Sequence, residues 1–250
     1  MATLRLKGGG DLPAVASRVV IGTCDISGVG VRALLGLRAS DGTRAATHEL
    51  ELTGVGSNPG GGGGAVFTPG GDPDVVDATP KMTLVNIPGV SLVAVNASLG
   101  VHEEAAFAAA VHEMVTRGGC DSVVIVAALR LNAKGNDAFF QTTMNGCPPL
   151  DGTFGALDGR TIVNDGVVAA LMHAMRAGAT PAACLLTRGY RVSELGGEAE
   201  AEAAAAADAM GAALAAALGS QTAYRSAGLA AARLWQENAA APNNTDRMYM

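Results

Sequence analysis

Two short polar stretches carry residue types from which a reaction centre could be assembled. Lys134 and Asn136, in LNAKGNDAFF, follow an apolar run ending at Leu131, and open α/β sheets hold ligands just past such strand ends. Asp158, Arg160, Asn164 and Asp165, in LDGRTIVNDG, could line a pocket with both charges present. A phosphorolytic enzyme of nucleoside phosphorylase type would draw on both stretches. Such an enzyme needs a phosphate site and a base-recognition pocket, and the motifs supply neither. There is no G-x-S-x-G elbow, no Walker lysine after a glycine loop and no H-E-x-x-H helix in the chain. The glycine run of residues 56–64 lacks the following helix whose N–H groups would converge on an anion, and reads as a flexible loop. His102 and His112 fall on different parts of one expected helix and read as surface or boundary residues. Turn and cap duty accounts for the Asp158 to Asp165 cluster. The expectation is therefore no catalytic residue, no metal and no cofactor.

Composition narrows the classes further. The chain has 250 residues, 49% hydrophobic and only 16% charged, enough to bury a real core. Its formal charge of -6 opposes nucleic-acid binding, which needs a basic face to displace counterions. The start MATLRLKGGG lacks an apolar targeting core, and no membrane segment is expected. Cys24, Cys120, Cys147 and Cys184 form no CxxC pair and read as reduced thiols of a reducing compartment. A cytoplasmic protein, or one shared with the nucleus, follows. The Asn-X-Ser/Thr matches at Asn96 and Asn243 read as chance.

The elements that must position these residues alternate between two periodicities. Runs beginning at Arg18, Lys81, Ser91, Ser122 and Ala182 are apolar and β-branched, as central strands covered on both faces would be. HEEAAFAAAVHEMVTRGG sets Phe107, Val111, Met114 and Val115 on one helical stripe, with acidic residues at its start and Gly118 at its end. Asp165 can cap a second helix through Val167, Val168, Leu171, Met172 and Met175, which Gly178 closes. An Ala-rich helix with Met210, Leu214 and Leu218 follows, then a last helix from Leu229 to Trp235. The expectation is an α/β fold with a mixed, partly parallel sheet flanked by helices. It assigns residues 1–238 to one domain and 239–250 to a flexible tail.

That tail ends Met248, Tyr249, Met250: an apolar side chain, a tyrosine and the free carboxylate. The ending resembles the one by which proteasome activators and assembly chaperones dock into pockets between α-subunits. The run RTIVNDGVVAALMHAMRAGATPAACLLTRGYRVSEL resembles the C-terminal half of the proteasome assembly chaperone 1 family through Ile162, Val163, Gly166, Ala169, Ala170, Pro181, Ala182 and Tyr190. The similarity runs on to the end of the chain, while from Arg18 to Leu131 only the order of elements is similar. The resemblance implies a non-enzymatic α/β sandwich reminiscent of nucleoside phosphorylases. It further implies pairing with proteasome assembly chaperone 2 and docking of Met248, Tyr249 and Met250 on proteasome α-ring subunits.

Overall fold

The computed structural model describes residues 2–43, 45–55, 64–131, 138–158, 160–189 and 197–232. In chain order the first strands are β1 (Thr3–Leu6), β2 (Arg18–Gly22), β3 (Leu37–Ala39), β4 (Thr47–Thr53), β5 (Phe67–Pro69), β6 (Met82–Ile87) and β7 (Val90–Val95). They are followed by β8 (Ser122–Leu129), β9 (Phe139–Met144), β10 (Gly155–Ala156), β11 (Ala182–Arg188), β12 (Thr222–Tyr224) and β13 (Leu229–Ala231). The helices are α1 (Val29–Gly36), α2 (Val101–Arg117), α3 (Gly166–Ala177) and α4 (Gly197–Leu218).

Strands that are apolar at every position can leave neither face in water, so they occupy the centre. The main sheet has the order β1-β4-β6-β7-β2-β8-β11-β9-β10. Its middle four strands, β7, β2, β8 and β11, are parallel, and antiparallel pairs flank them. The sheet is thus mixed and partly parallel, as the sequence pattern predicts.

The period of two in each strand separates two cores. Val19 and Ile21 of β2 and Val123, Ile125 and Ala127 of β8 face α2 and α3, meeting Phe107, Val111, Leu171 and Met175. Val20, Val124, Val126 and Leu185 face the other way, toward Leu34 of α1 and Met210 and Leu214 of α4. The helical stripes read from the sequence are the buried ones, except that Met172 and Leu218 are partly buried, and Asp165 and Gly178 bound α3 as expected. By length and composition alone Ala199–Leu218 could cross a membrane. In the fold its Ala203, Ala207, Met210 and Leu214 are buried against the body of the protein.

One expected element is corrected. The helix read from Leu229 onward is, over Leu229–Ala231, the strand β13, paired antiparallel with β5. An Ala-rich stretch favours helix only weakly, and a waiting strand edge that satisfies its backbone overrides that preference. Residues 233–235 of that helix lie outside the described residues, as do 56–63 of the glycine loop and 239–250 of the tail.

Helix α1 approaches the sheet more closely than side chains would allow. A β-carbon on Gly30 would overlap the Val126 carbonyl oxygen, and one on Gly22 would overlap the Gly30 carbonyl. Backbone cannot step aside cheaply, so Gly30→Ala should destabilise by about 1–3 kcal/mol, against the gain of about 1 kcal/mol that Ala brings an exposed helix. Urea unfolding with an unchanged slope would show this; a variant as stable as wild type would disprove the close-approach argument.

Candidate functional site

The parallel strands stand in the order β7-β2-β8-β11. From β2 the chain enters α1 on one face; α2, on the other face, then carries it from β7 past β2 to β8. The crevice between the carboxyl ends of β2 and β8 is therefore the switch point, where sheets of this kind bind ligands. It is also where α1 presents its unpaired N–H groups.

Here the crevice is filled by the protein's own carboxylate. Past Gly22 the chain turns through Thr23, Cys24, Asp25, Ile26 and Ser27 to Gly28, whose φ of 64° admits the turn and whose missing side chain leaves room for the Phe67 ring. Oδ1 of Asp25 accepts from the N–H of Ser27 at 3.0 Å and of Val29 at 3.1 Å. Oδ2 accepts from Gly30 at 2.8 Å and, across the crevice, from Ala128 of β8 at 2.8 Å. The side chain is buried, and burial pushes its carboxyl up to about 6 while the N–H groups of Ala128, Gly30 and Ser27 pull the other way.

The neighbouring helices are closed in the same manner. At α2 the Gly100 N–H donates to Glu103 Oε2 at 2.8 Å, and at α3 the Val168 N–H donates to Asp165 Oδ1 at 2.8 Å. The Glu104 carboxylate lies against Gly166, at the start of α3. Burial raises both Asp165 and Glu104, and the Asp165 charge raises Glu104 further. Burial first, then Asp25 and Asp165, also holds the Cys24 thiol far above its ordinary value, so it is not a thiolate nucleophile. An anionic substrate arriving at this edge would meet Asp25, Glu104 and Asp165 in place of free N–H groups. That chemistry does not suit phosphorolysis, and the likeness to nucleoside phosphorylases finds no support.

The described residues among those singled out in the sequence do separate work. Asp158 makes a turn, accepting from the Arg160 N–H at 2.9 Å through Oδ1 and from the Thr161 N–H at 2.8 Å through its carbonyl. Arg160 and Asn164 are exposed, and Asp165 is the α3 cap. His102 is exposed, while His112 is partly buried with its ring against Gly178. Among the described residues no group of three His, Cys, Asp or Glu could hold a metal ion. Lys134, Asn136, Met248, Tyr249 and Met250 lie outside the described residues. Sequence reasoning missed Asp25, although an acid at a strand end followed by Ser-Gly and an apolar run, CDISGVGVRALL, carries an N-cap signature.

The same edge holds the last described stretch of chain. Asn96, just beyond β7, is buried and binds both main-chain groups of Phe67, accepting from its N–H at 2.9 Å and donating to its carbonyl at 2.8 Å. The Ala232 N–H then donates to the Val66 carbonyl at 2.9 Å. Ala232 is thereby tied, through β5, to the carboxyl edge of the sheet.

Asp25→Asn would aim an amide NH2 at backbone N–H donors and should cost about 1–3 kcal/mol. Because the folded-state pKa is raised, the folded protein holds a proton that the unfolded chain releases between about pH 4 and about pH 6. The Asp25 contribution is full below that window and declines as pH rises through it, so the stability gap between wild type and variant should narrow. Urea midpoints of both proteins at pH 4 and 7 measure the gap; a gap that widens with pH would contradict this assignment.

No family model matches the chain, and no curated protein matches it. The fold is similar to that of Pyrococcus furiosus PbaA, an archaeal homologue of proteasome-assembly chaperone, with a TM-score of 0.57 and 12% identity over 87% of this chain and 86% of PbaA. It is also similar to Pyrococcus furiosus PbaB, an archaeal proteasome activator, with a TM-score of 0.54 and 13% identity over 87% of this chain and 88% of PbaB.

Proposed function

We propose that this chain is a proteasome assembly chaperone that docks its C-terminal Met248, Tyr249 and Met250 on the α-ring and works as a pair with a second assembly chaperone, of the proteasome assembly chaperone 2 kind. The observation that carries the reading is the fold shared with PbaA over 87% of the chain. The terminal tripeptide and the resemblance of Arg160 to Leu195 to assembly chaperone 1 agree with it. The carboxylate-filled switch point supports a binding role over an enzymatic one.

In this reading residues 1–238 form the body and 239–250 the tether. Tyr249 supplies a rigid amphipathic plug, Met248 an adaptable apolar contact and Met250 its carboxylate. Burying a tyrosine removes about 150–250 Å² from water, at most about 4–6 kcal/mol at 25 cal/mol per Å². Ordering the tether costs about 1–2 kcal/mol per residue. The tail alone therefore binds weakly, and useful affinity needs a second contact from the body or its partner, acting through effective concentration. The alanines on the outer side of α4, Ala205, Ala209, Ala212 and Ala216, are exposed and suit a partner's approach.

The test is binding of purified α-ring intermediates to four forms of the protein. Tyr249→Ala should lose about 2 kcal/mol or more, roughly thirtyfold in affinity, as an aromatic anchor does. Deleting residues 248–250 should do the same, and so should extending the chain beyond Met250, which displaces the carboxylate. Circular dichroism and partner binding should be unchanged in each. Equal affinity of all four forms would refute the docking role.

A further inference from the structure

Strand β13 is three residues long and, among the described strands, pairs only with the equally short β5. Its ladder bonds use alternate residues: the Gly228 carbonyl accepts from the Gly70 N–H at 3.1 Å, and the Ala232 N–H donates to Val66 at 2.9 Å. The backbone groups of Leu229 and Ala231 point to the other side, where none of the described strands lies. A short edge in this position should fray.

Two side chains complete that edge. Arg32 of α1 donates to the Leu229 carbonyl twice, from Nε at 3.1 Å and from Nη2 at 2.8 Å. Glu200 of α4 accepts from the Ala231 N–H through Oε1 at 3.4 Å, and the same oxygen pairs with Arg32 Nη2. A guanidinium donor and a carboxylate acceptor thus stand where the donor and acceptor of a third strand would be. The guanidinium also lies over the Phe67 ring of β5, 4.9 Å from its centre, so Arg32 grips both strands of the ladder. Arg32 is 3% exposed, and Arg32 Nη1 and Glu200 Oε2 are buried with no partner among the described residues. A buried pair that leaves polar atoms unsatisfied is a poor source of net stability, and its value lies in geometry.

We propose that the Arg32–Glu200 pair is a clasp that holds β13 to the body and so fixes Ala232, the last described residue before the tether of residues 239–250. The proposal rests on the reading of residues 239–250 as a docking tether. A clasped β13 sets Ala232 on the carboxyl edge of the sheet. An open one frees residues 225–232 as well, adding chain between the body and the docking residues and lowering their effective concentration by about twofold from length alone. Arg32 and Glu200 are positioning residues, and neither touches the α-ring.

The experiment is amide hydrogen exchange on the full chain, with α-ring binding measured on the same samples, for wild type, Arg32→Lys, Glu200→Ala and Glu200→Gln. Exchange at Ala231 and Ala232 should accelerate at least about tenfold in Glu200→Ala and Arg32→Lys, as local opening allows. Amides of β8 should keep their wild-type rates, and Glu200→Gln, which retains the acceptor, should change least. Binding of α-rings should weaken by about twofold or more in the first two variants. Unchanged exchange at Ala231 and Ala232 in Glu200→Ala, or acceleration shared equally by β8, would overturn the clasp. Faster exchange with undiminished α-ring binding would overturn its positioning role. If wild type itself fails to bind α-rings, the docking function falls while the exchange data alone still decide whether the clasp exists.

Discussion

The architecture turns on one carboxylate. Asp25 accepts four backbone N–H groups, three from the turn and first residues of α1 and one from Ala128 on the neighbouring strand β8. The close packing of α1 on β2 through Gly22 and Gly30 brings those donors together, and without an acceptor they would be buried and unpaired. A ligand anion commonly satisfies such donors in α/β proteins. Here the chain satisfies them itself, which couples the integrity of the fold to the closure of the site.

That closure has a consequence for function. With Asp25 on α1, Glu103 on α2 and Asp165 on α3, the helix N-termini that converge on the carboxyl edge are already neutralised. The edge is left acidic, with these backbone donors paired inside the chain. Asn96 binds Phe67 there, Phe67 packs at Gly28 beneath the Asp25 turn, and the β5–β13 ladder ends at Ala232. The region that would hold a substrate in an enzyme of this layout instead holds Phe67 of β5 and, through Val66, Ala232.

The likeness to PbaA and PbaB is one of fold. At 12% and 13% identity the shared feature is the layout of the sheet and helices. The carboxylate-filled switch point and the Arg32–Glu200 pair are built from this chain's own residues.

The residue pattern alone determined the central strands and the helices that cover them, because burial on both faces demands unbroken apolar runs such as SVVIVAAL and burial on one face demands a helical stripe such as Phe107, Val111 and Met114. It likewise determined the α3 cap at Asp165, since a cap is a local signal. Elements with weaker local signals stayed hidden: β4 reads THELELT, with polar residues alternating, and α1 is short with glycines at Gly30 and Gly36. Only tertiary structure decided that Leu229–Ala231 would be a strand, because the groups that satisfy its backbone come from Arg32, Glu200 and β5, far away in the chain. Only tertiary structure placed Asp25 against Ala128, a contact between residues more than a hundred positions apart. Such long-range pairings leave no period in the sequence, since they depend on which strand ends the fold brings side by side.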